Sequence, residues 1–315
     1  MNNWEEKLKA IMHDNRSGST GILEKTLQAL QEHLRKSSSL QTGRLVDQLN
    51  RLFSAHSGMI VLFHFINSFF LRIEDKALMR KGDAAKEELI SFLAEYLNQW
   101  QGIEQQIAEH LLEKEDLSRK TVLLHSNTAV VLKTLEVLSE KSVFPRIYQT
   151  ISYPAEEGKI QAEKLAEMGF MVRVISDASV ARFADEMDLA LFGSDGIFTD
   201  HFVNKTGTHL YARLFHDSGK AAYVLSDSRK LINEKDLPPA LFEVLKTEEE
   251  KDADELWKNA APNVRLLNFY FEDIPNDLLN GFILESGFVC GDALANHFRE
   301  FRLSELFKFE EQAGF

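Results

Sequence analysis

Leu189-Ala190-Leu191-Phe192-Gly193-Ser194-Asp195-Gly196 decides the fold, together with Asn204-Lys205-Thr206-Gly207-Thr208 a little further on. Four apolar residues run straight into glycines, small hydroxyl residues, an acid and a lysine. A helical pattern, His209 to His216, follows. The order predicts a buried strand, a turn-rich loop and a helix start, and in open α/β sheets ligands bind at that junction. Glycine lets backbone N–H groups approach an anion, and a helix start presents unpaired donors. Lys205 adds positive charge and Asp195 a proton carrier, so the loop has the makings of a site for a phosphorylated small molecule.

Outward from this loop the same alternation repeats. Val122-Leu123-Leu124, Arg146-Ile147-Tyr148, Met171 to Ile175 and Ala221 to Leu225 read as strands, with helical patterns between them. That spacing predicts a Rossmann-like parallel sheet with right-handed crossovers. Before about Leu117 the texture is different. Apolar residues recur at three and four (Leu23, Leu27, Leu30, Leu34, then Leu45, Leu49, Leu52), and proline is absent before Pro145. The expected class is α/β: an N-terminal all-helical domain over residues 1–117, then a Rossmann-like α/β domain over 118–315 with a C-terminal helical tail. The stretch Phe298 to Phe315 reads as a packed terminal helix or an oligomer contact.

Composition sets limits. The chain has 315 residues, 44% of them hydrophobic, one cysteine and a formal charge of -13. The single cysteine, Cys290, precludes an internal disulfide and a cysteine metal cage and fits a reducing compartment. The acidic balance argues against a nucleic-acid partner. Met59 to Leu71, broken by His64, Asn67 and Ser68, is too short to span a bilayer and reads as a buried core helix, with His64 as a satisfied core histidine. No membrane partner is expected, and the default location is cytoplasmic. The dinucleotide and Walker loops, the Gly-x-Ser-x-Gly elbow and the His-Glu-x-x-His motif are absent, so no cofactor and no metal are called.

Three more segments carry polar residues into helix starts. Arg16-Ser17-Gly18-Ser19 precedes a helix and is either a cap or an anion cup clamped by Arg16. His125-Ser126-Asn127-Thr128 follows the strand at Val122. Thr150-Ile151-Ser152-Tyr153-Pro154, with Glu157-Gly158, follows the strand at Ile147. The C-terminal ends of parallel strands face one way, so one pocket can collect Ser126, Asn127, Ser152, Tyr153, Asp195, Asn204 and Lys205.

These segments resemble a family that contains the alpha, beta and delta regulatory subunits of translation initiation factor 2B. It also contains the isomerases of methylthioribose 1-phosphate and ribose 1,5-bisphosphate. Asn204-Lys205-Thr206-Gly207-Thr208 is similar to the family's Asn-Lys-x-Gly-Thr, and Gly193-Ser194-Asp195 to its Gly-Ala-Asp. His125 to Thr128 resembles Thr-His-Cys-Asn-Thr, Thr150 to Pro154 resembles Thr-Glu-Ser-Arg-Pro, and Arg16-Ser17-Gly18 resembles the Arg-Gly-Ala phosphate loop. Phe271 to Pro275 and Glu285 to Gly287 resemble its C-terminal signature. The resemblance implies dimers formed through the Rossmann-like domain and a phosphosugar or nucleotide pocket between the domains. Asp195 and the cysteine that Ser126 replaces would do the isomerase chemistry. A serine hydroxyl needs a partner base where a thiol does not. Tyr153 and Ile151 also remove an arginine and a glutamate.

The expectation is therefore a protein that binds a phosphorylated sugar or nucleoside monophosphate, with isomerase activity weakened or lost. Lys205, Gly207–Thr208 and Arg16–Ser19 would hold the phosphate, and Asp195 and Asn204 would bind hydroxyls. The alternatives are an active aldose–ketose isomerase of a sugar 1-phosphate using Asp195, and a regulatory interaction subunit. A homodimer is expected.

Overall fold

The computed structural model describes residues 3–14, 18–75, 83–246, 250–298 and 301–308. The chain divides into two compact units. One comprises Met1–Gln101, Asn233–Thr247 and Arg299–Phe315; the other comprises Gly102–Ile232 and Glu248–Phe298.

The first unit is helical: α1 Asn3–Met12, α2 Ser19–Lys36, α3 Thr42–Ala55, α4 Ile60–Glu74 and α5 Asp83–Gln99. The leucines at three- and four-residue spacing are its core: Leu23, Leu27, Leu30 and Leu34 of α2 and Leu45, Leu49 and Leu52 of α3 are buried. α4 is apolar on nearly every side, as a helix at the centre of a core must be, and buries Val61, Leu62, Phe63, Phe65, Ile66, Phe69 and Phe70. His64 lies on its half-buried side, with Nδ1 3.0 Å from the Tyr96 hydroxyl, consistent with the reading as a satisfied core histidine. Among the described residues no helix is long and apolar enough to cross a membrane.

The second unit begins with α6 Ile103–Lys114, so the expected boundary at 117 and the unit boundary at 101 fall on either side of this helix. It continues β1 Thr121–Leu124, α7 Ala129–Glu140, β2 Arg146–Thr150, α8 Glu157–Glu167, β3 Val172–Ile175, the single turn α9 Val180–Phe183, and β4 Leu189–Phe192. Then come β5 Gly196–Ile197, β6 His201–Lys205, α10 Thr208–Asp217 and β7 Ala221–Leu225. The chain crosses to the first unit for α11 Pro239–Lys246 and returns for β8 Phe271–Pro275, β9 Gly281–Leu284 and β10 Gly287–Val289.

Seven strands form one sheet in the order β10-β9-β7-β4-β1-β2-β3, parallel except for β10. Sequential strands run outward from β1 to β2 and β3, then restart on its other side with β4, β7 and β9. This is the doubly wound order, with its reversal between β1 and β4. Alternate side chains supply two cores. Leu123, Ala190, Phe192 and Val224 pack with Tyr211 and Phe215 of α10 on one face. Val122, Leu124, Ile147 and Leu191 pack with Leu111 of α6, Leu135 of α7 and Leu165 of α8 on the other. Strands covered on both faces read as unbroken apolar runs, which is why they were visible in the sequence.

Two expectations change. The region between Gly193 and Thr208, read as one loop, holds β5 and β6, which pair with β8 in a three-stranded antiparallel sheet. The segment after Gly291 starts as a 3₁₀ turn, Gly291–His297, and residues 301–308 are irregular rather than helical, with one turn in which the Phe307 N–H meets the Ser304 carbonyl at 3.2 Å.

Candidate functional site

The strand order places the β1 and β4 ends side by side at the reversal, with the β2 end next to β1. The backbones meet tightly there. A Cβ on Gly193 would fall 2.1 Å from Thr128 Cγ2, and a Cβ on Gly158 only 1.9 Å from the Thr150 carbonyl oxygen. Both positions need glycine for close approach, one between the β1 and β4 loops, the other where α8 crosses the end of β2.

Two serines at these tips hold left-handed backbone, Ser126 at φ 67° and Ser152 at φ 65°. Such conformations are uncommon for residues other than glycine and persist where surrounding bonds over-determine them. The Ser126 N–H donates to Ser152 Oγ at 2.8 Å, and Gln149 Nε2 donates to the Ser126 carbonyl at 3.1 Å. Asp177, after β3, accepts the N–H groups of Ser152 and Tyr153, both at 2.9 Å. Gln161 of α8 donates to Gln149 and accepts the Thr128 N–H. Beneath them His125 is buried. Its Nε2 lies 3.0 Å from the Thr206 carbonyl and therefore carries the proton, leaving Nδ1 to accept from Thr150 Oγ1 at 2.6 Å. Burial pushes this imidazole down to about 4, so it is neutral at pH 7.

Ser126 Oγ donates to Glu157 Oε1 at 3.0 Å. The same oxygen lies 3.0 Å from Lys205 Nζ. Lys205 is buried, with its ammonium 4.0 Å from the centre of the Tyr270 ring. The approach to Glu157 is a charge contact without hydrogen-bond alignment, leaving Lys205 Nζ and Glu157 Oε2 buried without aligned hydrogen-bond partners. The structure thus gives Ser126 the carboxylate that a hydroxyl requires.

Asn204 and Thr208 shape the turn: Asn204 Nδ2 donates to Thr208 Oγ1 at 2.9 Å, and Thr208 Oγ1 donates to the Lys205 carbonyl at 2.6 Å. Gly207, at φ 107°, and His209 both give their N–H groups to one Glu272 oxygen, at 2.7 and 2.8 Å. The start of α10 therefore already holds a carboxylate, in keeping with the affinity of a helix N-terminus for negative charge. A phosphate there has to displace Glu272. Asp195 is half-buried, its N–H bound to the Val203 carbonyl at 2.7 Å. Asn127 is half-buried and Tyr153 is exposed, its hydroxyl donating to the Leu256 carbonyl at 2.8 Å.

Ser126, Ser152 and Lys205 converge through this network, while Asn127 and Asp195 sit at the neighbouring tips. Arg16 and Ser17 lie outside the described residues. Gly18 caps α2 of the first unit, and Ser19 is its first, buried residue.

Sequence reasoning missed four acids and two bases. Glu157 was quoted only as the neighbour of Gly158, Glu272 only as part of the C-terminal signature with no role, and Asp177 carried no motif. After β7, Asp227, Arg229 and Lys230 are all buried. Arg229 binds Asp227 at 2.7 and 3.0 Å; burial pushes that carboxyl up, but the guanidinium outweighs it and holds it below the usual range. Lys230 Nζ donates to the Ser194 carbonyl. A cavity of about 210 Å³ lies at the opposite, N-terminal ends of β1–β3, against Arg146, Tyr148 and Arg173, away from all of this chemistry.

The family model described as "Initiation factor 2 subunit family" matches residues 15–290. The ribose 1,5-bisphosphate isomerase of Archaeoglobus fulgidus is 26% identical over 235 residues, covering 72% of this chain and 70% of that protein. A putative translation initiation factor eIF-2B subunit 2-like protein of Pyrococcus horikoshii is 27% identical over 67% of this chain and 66% of its own. Among solved structures, the 5-methylthioribose 1-phosphate isomerase of P. horikoshii superposes with a TM-score of 0.74 at 20% identity, covering 93% of this chain and 86% of that one. Its fold is therefore shared.

Proposed function

Because the chain belongs to the initiation factor 2 subunit family, we propose that it binds a phosphorylated sugar or nucleoside monophosphate at the β1 and β4 tips, with isomerase activity weakened or lost. The observation that carries this reading is the grouping of half-buried Ser126, Asn127 and Asp195 at the sheet's reversal, backed by the ion pair of buried Lys205 with half-buried Glu157. Named relatives that act on sugar phosphates support the ligand class. The weakening follows from Ser126: a hydroxyl exchanges protons near neutrality far less readily than a thiol. A thermal-shift panel of pentose phosphates and nucleoside monophosphates tests it. Ligand at about 100 times its dissociation constant adds roughly 2.7 kcal/mol. Lys205→Ala, folded by circular dichroism, should abolish the shift. If no phosphorylated ligand stabilises the native chain, the reading is wrong.

A second reading, an active aldose–ketose isomerase using Asp195, is favoured by one contact: the Ser126–Glu157 hydrogen bond provides the hydroxyl with a proton acceptor. In deuterated buffer this reading requires Asp195-dependent exchange of a carbon-bound substrate proton. Inert behaviour across the pentose phosphates leaves the binding reading alone.

A further inference from the structure

Residues 301–308 lie against α3 and α4 of the first unit in an unusual way. Two buried asparagines hold the backbone of this segment bidentately. Asn67 Nδ2 donates to the Arg302 carbonyl at 2.8 Å, and Asn67 Oδ1 accepts the Ser304 N–H at 2.9 Å. Asn50 repeats the pattern four residues on: Nδ2 donates to the Leu306 carbonyl at 3.0 Å, and Oδ1 accepts the Lys308 N–H at 2.8 Å. A carbonyl at one position and an N–H two residues later are what a strand offers to a parallel neighbour. Each side-chain amide stands in for one residue of such a neighbour and reads backbone, whatever the side chains. Between the two asparagines, Glu74 Oε1 accepts the Ser304 hydroxyl at 2.5 Å and the Leu306 N–H at 3.2 Å.

Selectivity comes from an aromatic pocket. The Phe307 ring sits 4.9 Å from Phe53, 5.2 Å from Phe63 and 5.4 Å from Phe70, in edge-to-face and tilted arrangements. Lys308 Nζ reaches Asp47 at 2.8 Å at the rim. Main-chain bonds for affinity and a side-chain pocket for choice are the elements of peptide recognition. Every third residue of the segment, Arg302, Glu305 and Lys308, remains exposed, as in a bound ligand rather than a core element.

We propose that α3 and α4 form a groove for a peptide whose backbone is held at two points, on either side of one turn, with a phenylalanine anchor. Residues 302–308 of the chain are its detachable occupant, and the same segment of a second copy takes their place when they leave.

The test uses the full chain and a fluorescein-labelled peptide of sequence FRLSELFK, standing for the tail of the second copy. In the wild type the tethered segment competes at an effective concentration in the millimolar range, so the peptide binds weakly. Phe307→Ala loosens that competitor, and anisotropy should then report at least tenfold tighter binding. Asn67→Ala in the same chain should reverse the gain, and a peptide with alanine in place of its second phenylalanine should not compete. Independently of any variant, hydrogen exchange of the wild type should show the Ser304, Leu306 and Lys308 amides opening faster than the amides of α3 and α4. Equal affinity of the peptide for folded Phe307→Ala and wild type, or tail amides protected as fully as the helices, overturns the proposal.

Discussion

Burial takes His125 out of water, and its two hydrogen bonds fit only the neutral ring, with one nitrogen donating to Thr206 and the other accepting from Thr150. That has a consequence for acid stability. In the folded chain the imidazole resists protonation until about pH 4, while in the unfolded chain it takes a proton near 6.5. Below 6.5 the unfolded state binds more protons, so the native state loses stability as pH falls through the window from 6.5 to 4 and keeps it above. The loss amounts to about 3 kcal/mol for this one residue. Urea unfolding at pH 7 and pH 4.5 measures it. His125→Gln retains a donor and an acceptor but cannot titrate, so its midpoint should fall less steeply with acid than that of the wild type. Parallel losses in the two proteins refute the assignment. The site as a whole was half legible at this scale. Serine, asparagine, glycine and lysine beside a strand end are distinctive, and Ser126, Ser152 and Lys205 do come together. Glu157, Asp177 and Glu272 were illegible because the chain has 49 acidic residues, most kinds of surface accept them, and only the fold says which of them face inward.

At the scale of elements, the crossing of α8 over β2 depends on the missing side chain of Gly158. Its would-be Cβ meets backbone, the Thr150 carbonyl, which cannot turn aside without disturbing β2. Gly158→Ala is therefore expected to cost about 3 kcal/mol, the upper end of ordinary overpacking. Gly193 meets a side chain instead, Thr128, so part of the damage from Gly193→Ala should be recovered by adding Thr128→Ala, a coupling that a double-mutant cycle in urea resolves. Additive losses at this pair would show that the β1 and β4 loops do not touch as described. Elements differed in how plainly they were written. β1, β4 and β7 are covered on both faces and show as continuous apolar runs. β6 pairs antiparallel in a small sheet, and His201-Phe202-Val203-Asn204-Lys205 looks like a loop because two of its buried positions carry polar residues, Asn204 and Lys205. The tail failed as a helix for a related reason: its aromatic and charged residues fit either form, and the asparagines that hold its backbone lie more than two hundred residues away.

For the whole molecule, the informative quantity is apolar surface left open on a strongly acidic chain. Leu210 on α10 is 65% exposed, Leu267 56% and Phe269 42%, and they lie in segments that are bonded to one another: Thr206, two residues before α10, binds the carbonyls of Phe269 and Tyr270. Large apolar residues left exposed on neighbouring segments are what an interaction surface requires. A second copy is the occupant proposed here, through the sheet-bearing unit. Self-association then brings together two chains of formal charge -13, so hydrophobic contact has to overcome repulsion between like charges. Salt screens the repulsion and, if anything, strengthens apolar burial. Dimerisation should accordingly tighten as salt is raised, the reverse of an interface held by ion pairs. Sedimentation velocity at low and high salt reads this directly. Leu210→Glu puts a further negative charge on each copy at the patch and should shift the protein to monomer by tenfold or more in dissociation constant, with the high-salt arm recovering only part of the loss because the apolar contact itself has gone. A dimer that dissociates in salt, or one that Leu210→Glu leaves intact, would place the contact elsewhere on the molecule.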